Sequence, residues 1–331
     1  MTTSTDETAG VVAALQAPAG AVARPADPPA PPPAGRRRGE PGGAIISATD
    51  RRRPMVRRGQ TVLNATLLAL LLIIGLGPLL WLVKSGITPT QDTLRRPMAL
   101  WPHGVAWSNL STAWTTMDLG RSMANTVAIA AGSWLAQLVV AATGGYVLSV
   151  LRPRYAPLLT SAVLATLLVP TVVLLVPLYL TVLNPPLIHH SLINSFWALW
   201  IPSAANAFNV VLVKRFFDGL PREIFEAAEV DGAGPFRLFW SIVIPMSRPI
   251  LGVVSVFAII AAWKDFLWPL LVLPDPAKQP LSVRLPILAG SVDLGVLLAA
   301  LLISTIAPIV LFLLVQRLFL RGAGLGGALK G

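Results

Sequence analysis

The sequence predicts an all-α membrane protein with six transmembrane helices and both termini in the cytoplasm. Three observations carry this: the composition, the spacing of the apolar runs, and the placement of the basic residues. Of 331 residues, 54% are hydrophobic and 12% charged, with a mean hydropathy of +0.69. A soluble domain carries about 25% charged residues, so this chain has too little polar surface to cover a soluble core. The composition excludes a typical soluble enzyme and a disordered chain. The absence of cysteine excludes disulfide scaffolds, thiolate nucleophiles and Cys-based zinc sites. Only three histidines (His103, His189 and His190) are present, too few for a His-rich metal centre.

Residues 1–60 differ in kind from the rest. They hold nine of the 30 prolines, with the arginine runs Arg36–Arg38 and Arg51–Arg53 and then Arg57 and Arg58. Pro and Ala without periodicity bury too little apolar area to offset the entropy of ordering. This segment is expected to be a disordered cytoplasmic tail whose basic clusters attract anionic membrane lipid, at about 1 kcal/mol per charge. The first strongly apolar run begins near Thr61, too late and too long for a secretory signal.

Residues 61–331 form the membrane domain. A helix needs about 20 apolar residues to cross a bilayer core. Six segments qualify: 61–83, 123–150, 157–183, 192–213, 249–272 and 294–319. The third and fourth contain Pro170, Pro177 and Pro202, which membrane helices tolerate where neighbours satisfy the freed carbonyls. An open sheet cannot survive in lipid, so the class is all-α. With the N-terminus inside, the inner segments carry 19 Lys and Arg and the outer ones 6. That bias sets both termini in the cytoplasm. It also accounts for the net charge of +11 without nucleic acid as a partner.

The inner loop at 214–248 holds five of the 15 acids: Asp218, Glu223, Glu226, Glu229 and Asp231. Pro221 suits a first helical position, and Glu223 and Glu226 suit the positive end of the helix dipole. Ile224, Ala227 and Ala228 share a face by helical spacing, and Gly232 is a C-terminal stop that can turn left-handed. A second helix starts at Gly234-Pro235, with Phe236, Phe239, Trp240 and Val243 as an apolar stripe. By pattern alone this is a solvated connector helix or a small-residue docking surface with acids for a basic partner.

The sequence Glu226-Ala227-Ala228, then Asp231-Gly232-Ala233, Ile244-Pro245 and Pro249, resembles the EAA loop of ABC-transporter permease subunits. It is most similar to the carbohydrate-importer permeases of the maltose-system type. Leu192–Pro202 resembles that family's fourth-span entry, and Val169-Pro170 with Val176–Tyr179 its third span. Asn125-Thr126 resembles the start of its second span, and Gln316–Phe319 with Gly322 and Lys330-Gly331 its C-terminal end. The ordered set covers about residues 62–331 and favours docking over the connector reading.

The resemblance implies a permease in a bacterial plasma membrane, importing a sugar or oligosaccharide by alternating access. Its partners would be a second permease subunit, two ATP-binding subunits and an extracytoplasmic solute-binding protein. Glu226, Ala227, Ala228, Asp231, Gly232 and Ala233 would be the residues coupled to the ATPase. ATP and Mg would be bound by those partners, and no cofactor is expected here. The sequence contains no Gly-x-x-x-x-Gly-Lys-Ser/Thr loop to cradle phosphate, and no catalytic role is expected.

Charge within a span is expensive and marks a functional candidate. Lys264 and Asp265 fall within the fifth segment, and Asn206 and Asn209 within the fourth. Each pair either lines the solute pathway or serves structure. The family's usual Trp-Asn-Asp/Glu-Phe is here Trp263-Lys264-Asp265-Phe266, so a polar role does not transfer directly to position 264. Trp81, Trp101, Trp107 and Trp114 fit an interfacial belt as well as sugar stacking. Two other readings stand beside the first: the same machinery for a non-sugar solute, and a stand-alone secondary transporter. The latter needs buried carboxylates, for which Asp265 is the one plausible intramembrane acid.

Overall fold

The computed structural model describes residues 54–186 and 190–323. Residues 1–53 of the expected tail, His189 and the Lys330-Gly331 end lie outside the described residues. Among the described residues the chain is helical, without strands. The helices are α1 (Pro54–Gly86), α2 (Thr90–Arg95), α3 (Ser108–Thr116), α4 (Leu119–Tyr146), α5 (Ala156–Thr166), α6 (Leu175–Leu183), α7 (Trp197–Ala204) and α8 (Ala207–Asp218). They continue with α9 (Arg222–Val230), α10 (Pro235–Leu238), α11 (Ile244–Met246), α12 (Arg248–Lys264), α13 (Leu267–Val272), α14 (Leu281–Leu288) and α15 (Leu294–Ala323).

The chain divides into two units, 1–67 and 68–331. The first contributes the opening turns of α1, where Val62, Leu63 and Leu67 are exposed. This helix starts at Pro54, before the expected boundary at residue 61. Proline suits a helix start because its missing N–H is one that the first turn leaves unpaired anyway. The second unit holds everything described below.

By length and composition two helical stretches among the described residues can cross a bilayer, Arg58–Gly86 and Leu119–Leu151. Of the other expected spans, the sixth lies within one continuous helix, α15, and the third, fourth and fifth are interrupted. The third bends by 99° between Ala156–Thr166 and Thr171–Leu183. The bend falls at Pro170, which lacks an N–H and forces the preceding residue away from the helical region. The fourth, expected as continuous over 192–213, starts only at Trp197 and breaks at Ala205-Asn206. Asn206 is extended (φ −78°, ψ 105°), and its side-chain oxygen restarts the helix by accepting from the Asn209 N–H at 3.0 Å. The fifth, expected over 249–272, breaks at Asp265 (φ −68°, ψ 123°) before α13.

Helix α4 is the axis of the second unit, with α7, α8, α12 and α14 packed along it. Its apolar positions feed three clusters. One, around Ile129, holds Val182, Ala198, Leu199, Trp268 and Val272. A second joins α3, α14 and α15 at Leu119, Leu285 and Ala299. The third surrounds Ala141, Tyr146, Val213, Phe217, Phe239 and Val243. Close approach to α7 requires Gly132, since a Cβ there would overlap the Trp200 indole. At the N-terminal end of α4, Asn125 Nδ2 donates to the Ala277 and Gln279 carbonyls at 2.9 and 3.2 Å. The Thr126 hydroxyl oxygen accepts from the Leu281 N–H at 2.9 Å. The Asn-Thr pair thus fastens the 273–281 turn to α4.

Candidate functional site

The segment 214–248 folds as a short helix, a sharp turn and a second helical piece. Helix α9 starts one residue later than expected, with Pro221 as its extended N-cap (ψ 126°). It ends in a paired-bond turn. The Gly232 N–H donates to the Glu229 carbonyl at 3.0 Å, and the Ala233 N–H to the Ala228 carbonyl at 2.9 Å. Gly232 sits at φ +78°. This is the left-handed Schellman closure, which glycine enters without a Cβ penalty. Ala233 and Ala228 meet inside the same apolar cluster.

The two alanines have opposite surroundings. Ala228 is buried, packed in the cluster with Phe217, Leu238 and Phe239. Ala227 is exposed, as are Glu223, Ile224, Glu226, Glu229, Val230, Asp231 and Gly232. The expectation that Ala227 and Ala228 together form the outer small surface is therefore corrected: Ala228 seats the helix on its own chain and Ala227 faces out. Among the described residues, no hydrogen bond or ion pair engages the carboxylates of Glu223, Glu226, Glu229 or Asp231.

The second helical piece is also divided. Phe239 and Val243 are buried, while Phe236 and Trp240 are 77% and 55% exposed. A π-turn at Phe239–Val243 breaks the 3.6-residue register on which a single stripe depends. A second π-turn, Val147–Leu151, closes α4 in the same cluster. The Tyr146 and Phe239 rings pack at 4.9 Å, and the Tyr146 hydroxyl donates to the Pro235 carbonyl at 2.8 Å.

Asp218, at the end of α8, gathers the strongest polar cluster. Ser149 Oγ donates to Oδ1 at 2.7 Å, Arg152 Nη2 to Oδ1 at 3.3 Å and Lys214 Nζ to Oδ2 at 2.7 Å. Burial alone would raise the Asp218 pKa, but the hydrogen bonds from Lys214, Ser149 and Arg152 prevail and hold it below its usual value. Arg152 is itself left-handed (φ +44°) and donates from Nε to the Ser149 carbonyl at 2.6 Å. The 214/218 pair is legible in sequence as an i,i+4 contact. The partners at 149 and 152 come from the far side of the α4–α8 interface.

The candidates inside the apolar segments find internal partners. Asn209 is buried and donates from Nδ2 to Gln137 Oε1 at 2.8 Å across the α4–α8 interface. Asn206 is the cap described above. The Asp265 backbone carbonyl accepts from Ser282 Oγ at 2.6 Å. Lys264 is exposed at the end of α12. No hydrogen bond or ion pair joins Asn206 or Asn209 to Lys264 or Asp265 among the described residues. Trp114 and Trp263 face an apolar cavity of about 450 Å³, shared with Met123, Val127, Ile303 and Ile306.

Comparison with known proteins places this geometry. A family model described as "binding-protein-dependent transport system inner membrane component" matches residues 128–323. The diacetylchitobiose uptake system permease protein NgcG of Streptomyces coelicolor is 28% identical over 261 residues, covering 77% of this chain and 84% of that protein. The sn-glycerol-3-phosphate transport system permease protein UgpE of Yersinia pestis is 28% identical over 276 residues, covering 80% and 96%. Among solved structures, a chain of a bacterial ABC transporter involved in import of the acidic polysaccharide alginate superposes with a TM-score of 0.67. It is 21% identical, and the match covers 83% of this chain and 99% of that one.

Proposed function

The chain belongs to the family of binding-protein-dependent transport system inner membrane components, and from that premise we propose that it is one half of the membrane path of an ATP-driven importer for a sugar or oligosaccharide. The observation that carries this is α9, seated on its own chain through Ala228 while Glu226, Ala227, Asp231 and Gly232 face out, with the Glu226 and Asp231 carboxylates in no hydrogen bond or ion pair among the described residues. That surface is what an ATP-hydrolysing subunit would grip. Small side chains permit close approach, and carboxylates offer charge-assisted bonds. In this reading Glu226, Ala227, Asp231 and Gly232 dock, while Ala228 and Ala233 hold the helix in place.

The six apolar segments cross the membrane, the fourth and fifth as broken helices. Both termini and α9 lie in the cytoplasm, as the excess of basic residues there supports. A second permease subunit, two ATP-binding subunits and an external solute-binding protein complete the assembly. Nucleotide and Mg²⁺ are held by the ATP-binding subunits, and this chain performs no catalysis. ATP switches the pair because it binds one of the two states more tightly. Sugar as the solute rests on the diacetylchitobiose relative and on the motif pattern. The glycerol-3-phosphate relatives favour a phosphorylated polyol as a second reading.

The test is uptake by cells deleted for this chain, complemented with wild type or Gly232→Asp. A labelled panel should include diacetylchitobiose, maltose and sn-glycerol-3-phosphate. Loss of uptake of one sugar, restored only by wild type, is expected. Uptake of every panel member unchanged by the deletion would overturn the reading, and loss of glycerol phosphate uptake alone would select the second solute class.

A further inference from the structure

The segments that flank α9 on either side are both bound to the C-terminal end of α4 and its cap. Ahead of it, Asp218 is bound by Ser149 and Arg152. Behind it, the Pro235 carbonyl is bound by the Tyr146 hydroxyl. Tyr146 ends α4, Ser149 lies in the π-turn that extends it, and Arg152 is the left-handed residue that caps that turn. The helix spans between these two tethers, with Ala228 filling the space beneath. The 33-residue stretch Leu119–Leu151 then runs without a break to its other end, where Asn125 and Thr126 fasten the 273–281 turn.

We propose that the Tyr146–Ser149–Arg152 edge of α4 is the seat through which displacement of α9 enters the membrane domain, with Asp218 as its positioning residue. This rests on the permease reading above. It adds that α9 and α4 move as one body, so a push on α9 reaches the 273–281 turn along a single continuous helix. The tethers suit that task. They are polar bonds to the segments before and after α9 rather than along its outward face, so they leave that face free for a partner. Asp218 makes the tighter tether, since three donors converge on one carboxylate. The Tyr146 tether is a single neutral bond backed by its ring contact with Phe239.

The natural chain has no cysteine, so paired nitroxides can be placed without background. Labels at Val230→Cys on α9 and Val139→Cys on α4, both exposed, report the distance between the two helices. The measurement uses the assembled transporter with its native partners, with and without ATP and Mg²⁺. With the seat intact, the distance distribution is narrow and its mean does not move on adding nucleotide. With Asp218→Asn the distribution is expected to roughly double in width and to shift with nucleotide, and Asp218→Glu to restore it. Ser149→Ala, which removes one bond only, gives a smaller broadening and serves if the Asn variant does not assemble. Unchanged distributions in the variants that assemble, or failure of Asp218→Glu to restore, would overturn the seat. ATP hydrolysis by the unlabelled wild-type assembly is measured in parallel. Its absence would instead overturn the permease reading on which the seat depends.

Discussion

The 214–248 loop and the helix breaks at Asn206 and Asp265 contain the same kinds of side chain and use them in opposite ways. Along α9 and at its cap, Glu223, Glu226, Glu229 and Asp231 face out, and among the described residues none of their carboxylates is in a hydrogen bond or ion pair. At the breaks, the Asn206 side chain turns back to cap the helix that follows it, and the Asp265 carbonyl is bound by Ser282 Oγ. Asn209 is buried against Gln137. A polar group in an apolar chain must be satisfied somewhere. Where the chain itself satisfies it, the group serves the fold. Where nothing in the chain does, the group is available to another molecule. The contrast supports the proposed docking role of α9 and moves Asn206 and Asn209 toward the structural alternative.

The largest expected effect tests the α9 turn. Gly232→Asp places a Cβ at φ +78°, a conformation costing about 1–2 kcal/mol for an L-residue. It also sets a new charge beside Asp231. Uptake is expected to be lost while the protein remains in the membrane fraction on immunoblots. Gly234→Ala is the control, since Gly234 has an ordinary φ of −70° and open space around it, and uptake should be retained.

Next in size is the split between the alanines. Ala228→Leu overpacks a filled cluster, at about 1–3 kcal/mol, and should lower the Tm of the purified chain. Ala227→Leu should leave Tm unchanged and reduce co-purification of the ATP-binding subunit. Equal Tm losses for both would erase the inside–outside distinction.

Smaller again is the buried amide pair. Asn209→Leu leaves Gln137 unpaired, at about 1 kcal/mol within a membrane domain. Adding Gln137→Leu should recover the Tm and uptake. A double variant that is stable but does not transport would return Asn209 to the solute pathway.

The smallest effect is the pH dependence of the Asp218 tether. Its pKa is lowered on folding, after burial is outweighed by Lys214, Ser149 and Arg152. Its contribution is therefore complete above the unfolded value of about 3.9 and is lost as pH falls through the lower folded value. The Tm difference between wild type and Asp218→Asn should be constant from neutral pH down to about 3.9 and shrink below it.

Much of this was legible in the sequence. The Gly232 stop follows from local chemistry, because a left-handed closure needs glycine whatever surrounds it. The Pro170 elbow was marked by a missing N–H. The breaks at Asn206 and Asp265 were hidden because each lies within a segment apolar enough overall to span a bilayer, where hydropathy reports burial in lipid but not helical continuity. The π-turn at Phe239–Val243 was invisible to a pattern that assumes 3.6 residues per turn. The partners of Asp218 and Asn209 at Ser149, Arg152 and Gln137 could not be paired by sequence distance, since α4 and α8 meet only after folding.

The notch at Gly132 carries a consequence of its own. The Trp200 indole fills the space that any Cβ there would need, so no other amino acid fits without displacing the ring. Helices α4 and α7 are thereby keyed at one point along their length, and sliding of either past the other must first lift the tryptophan out. A library randomised at codon 132 and selected for growth on the transported solute would return glycine, and the rare escapes would carry a smaller residue at 200.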